Sequence, residues 1–216
     1  MSTRLTELLE EIISSVDNFE LIKSLLEFPH KDIFYFVQIL QRKKDHKGER
    51  LGGSNNNSRL IKAYYITSVE KLEIHRKEMI TLAHVFNARV SINLNPRNFQ
   101  KAAFHLLQKI ANQMSNGDYH NIRKSYESIC GEYHSEIDKR WLIDLDMEQL
   151  ILKEEILSYI VDSHREINKK DYGVIAGIPS KTGLHIITNP FNLEHWKWKD
   201  VEIHKNNPTN LYIPIN

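Results

Sequence analysis

The chain has 216 residues, of which 41% are hydrophobic, so one domain of this size can bury a substantial core. Its 29 Lys and Arg against 28 Asp and Glu give a formal net charge of +1, which excludes a polybasic, histone-like protein that acts through a global positive field. No apolar run approaches the roughly 18 residues of a membrane span, and the single cysteine, Cys130, excludes an internal disulfide framework and a multi-cysteine zinc site.

Met1–Glu10 carries charges throughout and lacks the apolar stretch of a secretory signal, which predicts a cytoplasmic protein with no membrane partner. Leu8, Ile12 and Val16, then Leu21, Leu25 and Phe28, fall at helical spacing. They predict one broken helix or two short ones over Leu5–Phe28, stopped by Pro29. Ile33–Leu40 is rich in β-branched and aromatic residues and predicts a strand. Asp45–Ser58, with Gly48, Gly52, Gly53 and consecutive asparagines, predicts a loop.

Leu60–Ile66 reads as a strand, and Thr67 with Glu70 as a capping box for a helix to about Phe86. Leu72, Met79, Ala83 and Phe86 form that helix's apolar stripe. Arg89–Leu94 is a strand ended by Asn95 and Pro96, and Asn98 caps a helix to Met114. In that helix Ala103, Leu107, Ile110 and Met114 are expected to face inward. Residues 115–138 are polar and predict no definite element. Trp141–Leu145 is a strand, Glu148–Asn168 a helix, and Val174–Ile178, Gly183–Thr188, Val201–His204 and Leu211–Ile215 are short strands. This alternation predicts an α+β fold, a mixed or antiparallel sheet flanked by helices.

Three short segments can carry chemistry. In RWLIDLDME, a strand places Asp144 and Asp146 on one face and Ile143 and Leu145 on the other. Two such carboxylates repel and suit a divalent cation with a preference for oxygen ligands, although a solvated acidic face has the same pattern. In SKTGLHII, a small hydroxyl-rich turn can offer N–H groups and hydroxyls to a phosphate, with Lys181 adding charge. His185 there sits in an apolar strand and needs a partner. In VEIH, Glu202 and His204 share a face.

Basic residues cluster at Arg42, Lys43, Lys44, Lys47, Arg50, Arg59 and Lys62, which makes either a local nucleic-acid groove or a solvated loop. Arg89, Asn93 and Arg97 could line a nucleotide groove, or be ordinary strand-end polarity with Arg97 solvated. Phe34, Tyr35 and Phe36 read as core rather than as base-stacking platforms.

A DxD strand, then S-x-x-G-x-H at a strand start, then an acid in a hydrophobic strand resembles the archaeo-eukaryotic primase superfamily, which includes primase–polymerases. The resemblance spans roughly residues 89–216. It implies a single primase–polymerase-like domain, with an N-terminal helical/αβ module at 1–88 and an RRM-like catalytic module at 89–216. It further implies template-directed nucleotidyl transfer from nucleoside triphosphates on single-stranded nucleic acid. Asp144, Asp146 and Glu202 would match the acids that bind Mg²⁺ or Mn²⁺. Ser180 and His185 would match the residues that hold the incoming phosphates.

The third acid is Glu where that family mostly has Asp, and no zinc module is present. The chain is then a minimal core, a subunit needing a replication partner protein, or a relative whose activity has changed. The alternative readings are a non-catalytic RRM-like module for single-stranded nucleic acid, working through the basic segment, and a metal-dependent nuclease.

Overall fold

The computed structural model describes residues 15–46, 56–132, 139–166 and 173–214. In chain order these form strand β1 (Ser15–Asp17), helix α1 (Phe19–Lys23), strands β2 (Ile33–Arg42) and β3 (Ser58–Ile66), and helix α2 (Val69–Val85). Strands β4 (Arg89–Ile92) and β5 (Arg97–Asn98) lead to helices α3 (Phe99–Ser115) and α4 (Ser125–Glu132). Strand β6 (Trp141–Asp146), helix α5 (Lys153–Glu166) and strands β7 (Val174–Pro179), β8 (Gly183–Thr188), β9 (Glu202–His204) and β10 (Thr209–Pro214) complete the fold. Residues 5–14, the segment 47–55 with Lys47 and Arg50, Asn168 and Ile215 lie outside the described residues.

Two antiparallel sheets with flanking helices result. The first has six strands in the order β1-β10-β4-β2-β3, with β5 on β2, and the second has four in the order β7-β8-β6-β9. The sheets do not divide at residue 89. β4 and β10 both belong to the first sheet, so the second spans residues 141–204 as an insertion between them.

Alternation along β2 assigns the faces of the first sheet. Tyr35, Val37 and Ile39 pack with Leu72, Met79 and Ala83 of α2 and with Phe19 and Ile22 of α1. Phe34 and Phe36 point the other way, onto Phe99, Tyr126 and Cys130 of α3 and α4. All three aromatic residues at 34–36 are buried and cannot stack on bases. Burial pushes the Cys130 thiol up to about 11, so it is a packing group. The second sheet buries Ile143, Leu145 and Ile186 under Ile156 and Ile160 of α5. The loop after β8 completes this layer with Phe191, Trp196 and Trp198, whose rings meet edge to face or tilted.

Four local expectations are corrected. Val16 lies in a strand opposite Ile213, not in a helix, because Asp17 Oδ1 accepts from Phe19 N–H and starts α1 afresh. The α2 cap is Ser68, one residue beyond Thr67, with its hydroxyl accepting from Lys71 N–H at 3.2 Å. Asn98 does cap α3, accepting from Lys101 N–H at 3.1 Å. Its inward stripe, however, runs through Ala102, Leu106 and Ile110, while Leu107 and Met114 are 66% and 54% exposed. Adjacent apolar residues at 106 and 107 offered two helical stripes, and contact with α4 chose between them.

Arg97 is the fourth. It is 2% exposed rather than solvated. Its Nε donates to Cys130 C=O at 2.7 Å, its Nη1 to Asn95 C=O and its Nη2 to Gly131 C=O at 3.4 Å. Two of these carbonyls belong to the last turn of α4, where the helix dipole offers negative charge to a cation. Among the described residues no helix is long and apolar enough to cross a membrane.

Arg97→Met should lower the unfolding free energy by about 2–4 kcal/mol, because buried carbonyls lose their donors. Leu107→Gln, on the exposed face of α3, should change it by less than about 0.5 kcal/mol. Urea denaturation of both variants checks the contrast.

Candidate active site

Register across the second sheet aligns the candidate acids. Asp144 on β6 pairs with His185 on β8 and with Glu202 on β9. Directly opposed residues of an antiparallel ladder share a face, so these three side chains form one row. Asp146 follows on the same face opposite Gly183, and Leu142 precedes it opposite Ile187 and His204. Gly183 is dictated by this pairing: a Cβ there would lie 1.9 Å from the Leu145 backbone oxygen.

The apolar end of that face, Leu142, Ile187 and Ile178, joins the core of the first sheet. The polar end instead borders a cleft of about 760 Å³ between the sheets. Asp144, Asp146, Glu202, Ser180, Lys181 and His185 all line it. The opposite wall carries Arg42 of β2, Arg89 and Ser91 of β4, Asn210 of β10, and Lys44 and Asp45 of the 3₁₀ turn Lys43–His46.

Asp45 organises the basic wall. It accepts from Arg89 Nε at 2.8 Å and from Nη2 at 2.6 Å, and Lys181 Nζ of the β7–β8 turn stands 3.6 Å away. Burial opposes ionisation of Asp45, but Arg89, with Lys181 and Arg42, outweighs it and holds the carboxyl below its ordinary range. Arg42 is lowered by burial and by neighbouring Arg89, against the pull of Asp45 and Asp144.

His185 links the walls. Its Nδ1 lies 2.8 Å from Thr209 Oγ1 on β10 and its Nε2 3.5 Å from Asp144 Oδ1. Burial lowers its pKa; Asp144 opposes this, and His204, Arg89 and Arg42 reinforce it. The net shift is below the usual imidazole value, so at neutral pH a neutral ring faces the carboxylate. An acceptor at Nε2 favours the Nε2–H tautomer, which leaves Nδ1 to accept from the Thr209 hydroxyl. Glu202 Oε2 lies 3.0 Å from His204 Nε2.

The basic segment does not form one groove. Arg42 and Lys44 line the cleft, and Lys43 lies in the same turn outside the lining. Arg59 pairs with Gln41 and Lys62 bonds Glu78 of α2 at 2.5 Å, so both project from the opposite face of the first sheet. Asn93 is likewise withdrawn from the cleft, donating to Asn206 C=O at 2.6 Å. Asp45, Ser91, Asp200 and Asn210 join the lining without having been singled out in the sequence. The strand alternation could have found Ser91, because it lies two residues beyond Arg89 on one face; nothing local points to Asp45.

Among the described residues no three His, Cys, Asp or Glu side chains already form a group that could hold a metal ion. The donor set itself suits Mg²⁺ or Mn²⁺: Asp144 and Glu202 are directly opposed, Asp146 shares their face, and all are hard oxygen donors. Comparison with protein-family models, curated proteins and solved structures finds no match for the chain.

Gly183→Ala should separate β8 from β6 and cost roughly 2–3 kcal/mol of stability, measurable by denaturation. The His185 titration, followed by NMR, should have its midpoint below the ordinary value of about 6.5. Asp144→Asn should move that midpoint further down, because it removes the main interaction that favours the imidazolium. A depressed histidine pKa contributes stability above the unfolded value that is lost as pH falls through the folded one. The wild type should therefore lose stability on acidification below the ordinary histidine range.

Proposed function

We propose that the cleft is the nucleotidyl-transfer centre of a primase–polymerase-type enzyme. It would extend nucleic acid from nucleoside triphosphates on a single-stranded template. The observation that carries this reading is the polarity of the cleft. Carboxylates of the second sheet (Asp144, Asp146 and Glu202) face cations of the first (Arg42, Lys44 and Arg89), with Lys181 at the turn between β7 and β8.

The fold supports the same reading. The order β7-β8-β6-β9, with α5 connecting β6 to β7, follows a β-α-β-β-α-β arrangement in which the loop 189–201 replaces the second helix. That arrangement supports reading the second sheet as the RRM-like, primase-type core that the motifs imply. Its open face carries the acids and turns towards the first sheet.

Asp144, Asp146 and Glu202 would hold Mg²⁺ or Mn²⁺, which when bound neutralises charge on the attacking and leaving oxygens of a phosphoryl transfer. The remaining work belongs to the chain's own groups. Arg42, Lys44, Arg89 and Lys181 supply positive potential for a triphosphate that the acidic wall alone would repel. Asp45 keeps Arg89 in a fixed orientation, so its charge needs little rearrangement when a phosphate arrives. Neutral His185 turns its Nε2–H to Asp144 and so helps orient that carboxylate without adding a charge. The Ser180 turn is closed by its own N–H donating to Gly183 C=O at 3.0 Å, which sets the Ser180 and Thr182 hydroxyls at the cleft.

Labelled-nucleotide incorporation on primed and unprimed single-stranded templates, with Mg²⁺ or Mn²⁺, tests the proposal. Wild type should incorporate, and Asp144→Ala/Asp146→Ala should fall by at least about a hundredfold. A folded wild type that binds single strands but never incorporates would make the chain a non-catalytic binding module.

A further inference from the structure

We infer that the solvent face of α3 is a dimer interface, on which two copies of this chain pair as antiparallel helices about a twofold axis. The helix buries Ala102, with Leu106 and Ile110 half-buried on the same side. Phe104, Leu107, Ala111 and Met114 form a second stripe that faces away from this core, at spacings of three, four and three residues. Such spacing is the seam of a paired helix, and a lone chain needs only the first stripe. Phe104, Leu107 and Met114 are 65%, 66% and 54% exposed, so large apolar side chains share one strip of water-facing surface. Gln100, Gln108 and Ser115 border the strip without charge, so it selects neither an acidic nor a basic partner.

Size and charge both favour a second copy. In an antiparallel pair centred between Leu107 and Ala111, Leu107 meets the small Ala111 of the second copy and Phe104 meets its Met114. A large residue then fills the space over a small one, and a thioether meets an aromatic ring, which is a favourable contact. The charges of α3 also run against its own dipole. Its first turn holds Lys101 and no acid, its last turn holds no base, and Asp118 follows its end. The equally long α2 has the ordinary order, with Glu70 in the first turn and His84 in the last. A positive side chain at a helix N-terminus is unfavourable. Antiparallel pairing corrects this twice, because it carries each Lys101 to the C-terminal end and the Asp118 of the other copy. A helix of 17 residues is about 25 Å long, so the interface is small and the expected dissociation constant is roughly micromolar.

Sedimentation equilibrium of the full chain, from about 1 to 200 μM, tests this. Wild type should pass from monomer to dimer across that range. Leu107→Glu places a charge in the seam and should weaken pairing at least about a hundredfold. Urea denaturation of the dilute, monomeric variant should match wild type, which separates loss of pairing from loss of folding. Lys101→Glu and Asp118→Lys should each weaken the dimer about 5- to 10-fold. The double variant should pair more tightly than either single one, because its opposite charges are exchanged rather than lost. Wild type that stays monomeric across the range leaves this face to a different partner and overturns the inference. A dimer indifferent to Leu107→Glu overturns it as well, and a double variant no tighter than the single ones overturns the antiparallel arrangement.

Discussion

Asp144 stands on a strand that has a neighbour on each side, with His185 opposite on one and Glu202 opposite on the other. That cross-strand row depends on the period-two alternation of β6, which sends Ile143 and Leu145 under α5 and leaves Leu142, Asp144 and Asp146 on the other face. A shift of one residue would bury both aspartates beneath the aromatic loop and bring Ile143 into the cleft. The hydrophobic demand of the α5 layer therefore fixes the polar site. Gly183 makes the register tighter still, because only a residue without Cβ tolerates the Leu145 oxygen at that point.

The two sheets divide the charge between them. The second contributes the carboxylate wall and the first contributes most of the cations. Such walls attract, but exposed charges several ångströms apart are weakened by solvent and salt. Two specific contacts join the sheets. Asp45 gathers Arg89 and Lys181 from opposite sheets onto one carboxylate, and His185 reaches Thr209 on β10. Below these, Leu142, Ile178 and Ile187 pack into the core of the first sheet and close the base of the cleft.

The sequence conveyed local patterns well and long-range partnerships poorly. Strands such as Gly183–Thr188 were legible because apolar and polar residues alternate between turn signals. The co-location of Asp144, Asp146, Ser180, Lys181, His185 and Glu202 in one cleft was anticipated through the order of short motifs, not through spacing. The cationic wall was only half visible: Arg42 and Lys44 belong to a basic run that also includes Arg59 and Lys62, and strand alternation sends the latter pair away. Arg97 was misjudged because its partners are carbonyls of α4, a short helix in a polar stretch with no clear period. Ser91 and Asn210 are unremarkable in sequence; they come together in the lining only once β10 lies beside β4.

The placement of β10 has a bearing on biosynthesis. This strand is the last described element of the chain, yet it occupies an internal position between β1 and β4. On a ribosome the polypeptide emerges vectorially, so β4 keeps an open edge and β1 lacks its neighbour until Thr209–Pro214 leaves the exit tunnel. The strand pairings of the inserted unit from β6 to β9 all fall within the unit, so they can form before that moment. Closure of the first sheet is then the late, sequence-distant event, and it brings Thr209 to His185 and Asn210 to Ser91 together. A nascent chain acquires the complete cleft in the same step that completes its scaffold, so a partly synthesised copy presents its acids before Asn210 joins the wall opposite them.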